Sequence, residues 1–399
     1  MLDAETRDLG RGNLCTHNDT VAKFDRRTFL AGSIASGILT ANAVSRGASP
    51  RTIVAAVQMA CHVGDMDANL EAAENWIRYA IGRGAKWIVL PEFFLSGMSY
   101  HPERMLDAIQ PIDGPATQVL AKLSRESGVY IGGTFLAKSG DDVFNSFVLA
   151  SPDGEIFSHD KDFPSGFVEH SFYAGGEDDV FVRKLHEFGV GASAETIRGR
   201  SDNIKSGVFP VTDSTAIGVA ICWEQIRYRT ARRLRAKVDL VLAASAWGVL
   251  DPDIGVADVD RDDLVRWAEE TTTMLRSTPG RLARLVGAPV IHANTVGSGW
   301  SQDGRKGKPP MLGRGMGDSQ IVDAEGKILA RRPHTEGEGV VFAEIQIGRT
   351  APEDEIPKEE FWTPDFTEVL KQSWHNGGSY GRDYYLKTAR PHRSRAQSE

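Results

Sequence analysis

The sequence predicts a single α/β domain with mixed sheets, preceded by a separate N-terminal leader. Three observations point there. Short, nearly continuous apolar runs of strand length alternate with longer segments whose apolar residues recur at helical spacing. Two tight turns, Ser151-Pro152-Asp153-Gly154 and Asp323-Ala324-Glu325-Gly326, join strand runs directly, so antiparallel hairpins must accompany parallel crossovers. The 41 glycines call for many tight turns, which suits a loop-rich α/β chain better than a helical bundle.

The elements follow in order. Residues 51–59 (RTIVAAVQM) read as a buried strand, and 67–83 as a helix with Leu70, Ala73, Ile77, Ala80 and Ile81 on its apolar face. Residues 87–90 form a second buried strand ended by Pro91. Residues 114–128 form a helix with Val119, Leu120 and Leu123 inward. Strands follow at 129–135 and 144–150, the latter meeting 155–158 across the first tight turn. Residues 215–222 read as a buried strand, followed by a basic helix around 225–236 and a strand at 240–244. Residues 261–286 are helical with a break expected at Pro279-Gly280. A strand at 289–295, a hairpin of 319–322 with 327–330, and a last strand at 339–345 complete the domain. Residues 185–207, 251–263 and the tail from Ala351 read as insertions or extensions.

With 41% hydrophobic and 25% charged residues among 399, disorder, collagen and coiled coil are excluded. A net charge of −8 without a basic stripe argues against a nucleic-acid partner. Three cysteines make no disulfide scaffold. The leader is distinctive. Arg26-Arg27 precedes Phe29-Leu30 and a mildly apolar run, and Ala41-Asn42-Ala43 supplies a small-x-small cleavage site. The run is too short and too weakly apolar for a stable bilayer span. It resembles a twin-arginine export signal over residues 1–43, which implies passage through the twin-arginine machinery, cleavage near Ala43 and a periplasmic or otherwise exported mature chain.

Four side chains stand out chemically. Glu92 directly follows the buried strand WIVL and Pro91. Lys161 lies just beyond the first hairpin, with Glu169 eight residues on. Cys222 ends the apolar strand TAIGVAI. Strand ends are where ligand crevices form in α/β sheets. Each residue alone has an ordinary reading: a buried cysteine as a small hydrophobe, Glu92 as a helix cap, Lys161 as a surface lysine, and Glu169 and Glu224 as ion-pair partners. The combination favours chemistry. No HExxH or paired-Cys motif supports zinc. Gly313-Arg314-Gly315-Met316-Gly317 lacks dinucleotide spacing and reads as a flexible loop near the site mouth.

The residues match a known pattern. Gln58, Pro91-Glu92-Phe93, Lys161, Ile221-Cys222-Trp223-Glu224, Arg227, Asp239-Leu240, Ser245-Ala246-Trp247, Ala293-Asn294 and the 317–323 hairpin resemble the nitrilase or carbon–nitrogen hydrolase superfamily in order and spacing, from about residue 52 to 345. The resemblance implies a four-layer αββα sandwich that pairs into an αββααββα homodimer or a higher homo-oligomer, with no cofactor and no metal. It also implies a catalytic set of Glu92, Lys161 and Cys222, with Glu169 as an additional glutamate. Glu92 would take the thiol proton, and Lys161 with a backbone N–H near Trp223 would hold the oxyanion; a thioester would follow, which Glu92-activated water hydrolyses. Trp223, Trp247 and Phe93 are candidates to line the substrate pocket. Arg229-Thr230 stands where the family usually has Pro-Glu, and Leu282-Ala283-Arg284-Leu285-Val286 replaces an Arg-Ala-x-Glu-Asn stretch. The expected substrate is a small amide. A nitrile is the alternative, and a non-catalytic binding member of the fold is the alternative of another class. Cys61 and Cys222, the mature chain's thiols, are expected to be unpaired.

Overall fold

The computed structural model describes residues 51–99, 102–165, 169–176, 207–250, 260–302, 311–357 and 381–390. The leader at 1–43, residues 185–206 of the first insertion and 251–259 of the second lie outside them.

The first half of the domain is built from β1 (Arg51–Gln58), α1 (Met66–Gly82), β2 (Trp87–Val89), α2 (Pro102–Leu106), β3 (Gln110–Pro111), α3 (Pro115–Ser127), β4 (Tyr130–Ser139), β5 (Asp142–Ala150) and β6 (Ile156–Asp160). Asp65 caps α1 by accepting the Ala68 N–H, and Gly128 ends α3 in the left-handed conformation that a residue with a Cβ would strain to adopt. The second half holds β7 (Val208–Thr212), β8 (Thr215–Ile221), α4 (Tyr228–Leu234), β9 (Leu240–Ser245), β10 (Gly248–Leu250), α5 (Arg261–Val286), β11 (Val290–Asn294), β12 (Val296–Gln302), β13 (Met311–Val322), β14 (Ile328–Pro333) and β15 (Gly339–Gln346).

Two mixed sheets result. One has the order β15-β1-β2-β4-β5-β6, in which β1, β2 and β4 are parallel and the flanking strands antiparallel. The other runs β10-β13-β11-β9-β8-β7, with β8, β9 and β11 parallel. The alternation along the strands decides the layering. Val54, Ala56, Val89 and Leu149 of the first sheet meet Ile217, Val219, Ile221, Leu242 and Ile291 of the second in one buried core. Their outward-facing neighbours Ala55, Val57, Ile88 and Ile131 pack on Ala73, Ile77, Leu120 and Leu123 of α1 and α3. Val241, Ala243 and Val290 pack on Leu234 of α4 and on Leu282, Leu285 and Val286 of α5. Helix, sheet, sheet and helix are therefore stacked in that order, the expected αββα sandwich. Gln58 stitches the end of β1 to the second half: its amide donates to the Gly337 carbonyl at 2.8 Å and accepts the Ser319 N–H at 3.1 Å.

Three sequence expectations need correction. The break at Pro279-Gly280 does not occur, and α5 runs through it. Proline costs an interior helix about 3 kcal/mol, but burial of Leu275, Leu282, Leu285 and Val286 on both sides of it holds the helix together. Gly280 lies against the β13–β14 turn so closely that a Cβ would come 2.6 Å from the Gly326 carbonyl oxygen. The second correction concerns residues 313–317, which are not a loop but part of β13, paired with β10 and β12. Glycine is needed there because a Cβ on Gly315 would meet the Thr295 carbonyl oxygen at 2.7 Å. That crowding hides the strand from propensity. The third is that β8 stops at Ile221, and Cys222 opens a short 3-10 turn, Cys222–Ile226.

Candidate active site

The parallel strands deliver their carboxyl ends to one place. Glu92 follows β2, Cys222 follows β8, Ala246 follows β9 and Lys161 follows β6. The two sheets touch there directly, through the Glu92 N–H donating to the Ser245 carbonyl at 3.2 Å. Both turns are strained. Phe93 has φ +54° and Cys222 has φ +52°, a region that costs a residue with a Cβ roughly 1–3 kcal/mol and is held only where its surroundings enforce it. The Phe93 turn is enforced by its N–H donating to Thr134 Oγ1 at 3.0 Å and by the Gly97 N–H donating to the Phe93 carbonyl at 2.8 Å.

Glu92, Lys161, Glu169 and Cys222 are brought into one buried network. Lys161 Nζ donates to Glu92 Oε1 at 2.9 Å and to Glu169 Oε2 at 2.8 Å. The Cys222 thiol lies within the electrostatic reach of the Glu92 carboxylate, the Lys161 ammonium and Glu169. Glu92 is fixed further by the Asn145 amide at 2.8 Å on Oε1 and by the Ala246 N–H at 2.8 Å on Oε2. Glu169 Oε2 also accepts the Ser165 N–H at 2.8 Å and the Tyr173 hydroxyl. Asn145, Ala246 and Tyr173 are not in the sequence-derived set.

Burial pushes the Glu92 carboxyl above its ordinary range, and the Glu169 charge adds to this against the pull of Lys161. Burial opposes the Lys161 charge as well, but Glu169 and Glu92 together override it and hold its pKa well above the usual lysine value. Burial and the Glu92 charge raise the Cys222 thiol far above its ordinary value, so the resting group is a thiol rather than a thiolate. A lysine cation between two carboxylates, with a thiol under the influence of the same charges, can transfer a proton and then stabilise negative charge at the same spot.

Glu224 bridges the two segments that carry Cys222 and Lys161. Its Oε2 accepts the Ile221 N–H at 2.7 Å, and its Oε1 accepts the Asp162 N–H at 2.7 Å, with His159 Nε2 at 3.1 Å. His159, Asp162 and Glu224 converge as metal ligands would, but Arg233 donates to both Asp162 oxygens at 2.6 Å and lies 3.7 Å from Glu224. The guanidinium supplies the positive charge there, so the cluster is an ion-pair network. Burial works against the Glu224 charge, but His159, Arg233 and the Asp162 N–H bring its pKa down to about 2. A carboxyl whose pKa falls on folding, here from 4.5, stabilises fully above pH 4.5 and loses that contribution as pH drops toward 2. Urea unfolding between pH 2 and 6 should therefore show a steeper acid loss in the native chain than in Glu224→Gln. Equal slopes would refute the assignment.

The candidate pocket residues are placed differently from one another. Trp223 is half-buried beside the nucleophile turn. Trp247 is buried in the inter-sheet core, its ring centroid 4.8 Å from that of His292, and its backbone N–H donates to Asn294 Oδ1 at 2.9 Å. Phe93 is fully buried and packs edge-on to Phe172 and Tyr173. Cys61 and Cys222 are both free thiols.

Residues 53–352 match the family model for carbon-nitrogen hydrolases. The chain belongs to that family. Among curated carbon-nitrogen hydrolase relatives, the nitrilase of Pyrococcus abyssi is 36% identical over 110 residues, 27% of this chain and 42% of that protein. The omega-amidase of Danio rerio is 28% identical over 190 residues, 46% of this chain and 58% of that protein. The chain thus spans about half the length of these two relatives. Nitrilase 2 of Arabidopsis thaliana is matched more fully, at 24% identity over 78% of this chain and 85% of its own. Among solved structures, a carbon-nitrogen hydrolase from Helicobacter pylori G27 superposes with a TM-score of 0.53 at 19% identity, covering 74% of this chain and 89% of that one. An amidase from Nesterenkonia AN1 superposes at 0.51 with 16% identity, covering 75% and 92%. At these identities the structural likeness speaks for the shared fold.

Proposed function

We propose that this carbon-nitrogen hydrolase cleaves the non-peptide C–N bond of a small amide through a thioester on Cys222. Glu92 accepts the thiol proton as Sγ adds to the amide carbonyl, and Lys161 with the backbone N–H near Trp223 stabilises the oxyanion. Collapse of the adduct breaks the C–N bond, and Glu92 returns the proton to the departing ammonia or amine. Water, deprotonated by Glu92, then attacks the thioester to release the carboxylic acid and restore the thiol. Glu169 orients Lys161 throughout. The observation that carries this reading is the junction of four groups: Lys161 Nζ 2.9 Å from Glu92 and 2.8 Å from Glu169, with the buried Cys222 thiol under the influence of the same charges. The named amidase and nitrilase relatives support the reaction class and leave amide and nitrile as the competing substrates. We also propose export of the mature chain after cleavage near Ala43 and its assembly as a homodimer.

The test is ammonia release by the mature protein on a panel of small amides, carbamoyl compounds and nitriles, beside a Cys222→Ala control. Release from amides that the control lacks is the expected result. Release from nitriles alone would replace the amidase reading with nitrilase. Silence across the panel with Cys222 free would favour a binding member of the fold.

A further inference from the structure

The family match ends at residue 352, yet a segment well beyond it reaches the walls of the site. Residues 381–390 form a helical segment in which Tyr385 and Ala389 are buried. Both enter a cluster with Phe93, Met105, Phe172, Tyr173 and Ala246. Three of these adjoin or carry groups that hold the candidate site: Phe93 follows Glu92, the Ala246 N–H donates to Glu92, and the Tyr173 hydroxyl donates to Glu169.

The polar contacts run the same way. Tyr385 Oη accepts the Val143 N–H at 3.0 Å and donates to Asp142 Oδ1 at 3.2 Å, while Arg390 Nε donates to Asp142 Oδ1 at 2.9 Å. Asp142 and Val143 open β5, whose Asn145 grips Glu92. The Val143 carbonyl accepts the Ala174 N–H at 2.8 Å, tying the same strand end to the turn that presents Glu169 and Tyr173. Burial raises the Asp142 carboxyl, and the Arg390 pair and the Tyr385 bond work against this.

We propose that residues 381–390 are an intramolecular clamp for the catalytic carboxylates, with Tyr385 and Arg390 as positioning residues for Glu92 and Glu169. The clamp acts on the register of β5 and on the 169–174 turn without touching the reacting atoms. It rests on the amidase reading only for what is to be positioned. Misplacement by a fraction of an ångström is enough to lower turnover while leaving substrate binding largely intact.

The experiment compares the native chain with full-length Tyr385→Phe, Arg390→Gln and Arg390→Lys. Three quantities are read: kcat and KM for ammonia release, the iodoacetamide alkylation rate of Cys222 mapped by peptide mass spectrometry, and hydrogen exchange of residues 169–176 and 381–390. Arg390→Gln should lower kcat about tenfold or more with KM little changed, slow Cys222 alkylation, and raise exchange in both segments. Tyr385→Phe should do the same more weakly, and Arg390→Lys should recover part of the loss. Alkylation and kcat at native levels while residues 381–390 exchange freely would overturn the clamp, as would lower kcat, slower alkylation and raised exchange that appear only together with global unfolding in the mild Tyr385→Phe variant. If the native chain turned over no amide, the alkylation and exchange comparison would still decide the clamp, and the failure would belong to the substrate reading alone.

Discussion

Replacing Glu92 by glutamine should abolish ammonia release to within the assay floor, a loss of at least ~10³-fold, because in the proposed reaction Glu92 is the general base of both halves. The side chain is nearly isosteric, so the loss is chemical before it is steric. It also creates a hydrogen-bond conflict. The described hydrogen-bond partners of Glu92 are donors: the Lys161 ammonium, the Asn145 amide and the Ala246 N–H. A glutamine amide offers one acceptor oxygen, and in either orientation its NH₂ faces a donor. That mismatch should lower stability by about 1–3 kcal/mol, readable by urea unfolding. The native enzyme should also report Glu92 in its pH profile. Because burial raises this carboxyl above its ordinary 4.5, protonation removes the base at a pH higher than an exposed glutamate would. The acid limb of kcat/KM should therefore lie above pH 4.5. Alkylation of Cys222 at neutral pH should slow in Glu92→Gln, since the thiol loses its proton acceptor and burial still raises it, and this loss outweighs the relief of the Glu92 charge that also raises it. Unchanged alkylation and turnover would remove Glu92 from the base role.

How much of this arrangement was legible in the sequence depended on the kind of signal each part leaves. The buried strands β1, β2 and β8 stand out because a short, continuous apolar run is stable in water only when both of its faces are covered, and α1 because Ala73, Ile77 and Ala80 recur at helical spacing. Glu92, Lys161, Glu169 and Cys222 were visible as reactive types at strand ends and as members of a family motif, and the fold places them in one network. Asn145 was not found. It lies within β5, where a polar residue reads as ordinary strand alternation, and only the fold turns its amide toward Glu92. The Ala246 and Asp162 N–H donors leave no side-chain signature at all. The sequence marks Glu224 as an ion-pair partner, which it is, but its bond to the Asp162 amide, 62 residues away, is set by the fold alone. The glycine-rich 313–317 stretch misled for the opposite reason: close backbone approach selects glycine, and glycine erases β propensity.

Lys161→Met should be at least as damaging as Glu92→Gln and for a reason that the pH profile can separate. Lys161 is buried and donates to Glu92 at 2.9 Å and Glu169 at 2.8 Å, so its ammonium is what allows two carboxylates to face one another away from water. Removing one partner of such a buried network costs about 3–5 kcal/mol, because the remaining charges keep their desolvation penalty without compensation. The chain relieves that penalty by taking up a proton. Glu92 is the group already pushed upward by burial and by Glu169, and Lys161 is the charge that holds it down. In the variant its pKa must rise further, so less of the base is ionised at any given pH while the oxyanion loses its cation, the latter alone worth ~10²–10³ in rate. Both losses act on turnover, giving a combined fall of ~10⁴ or more at pH 7. Only the first is reversible by pH. Residual ammonia release in Lys161→Met should therefore climb as pH rises, with its acid limb displaced upward from the native one. In Glu92→Gln that limb should be absent. A variant whose acid limb coincided with that of the native enzyme would show that Lys161 does not set the charge of Glu92, and the pair would then have to be read as independent groups in one cavity.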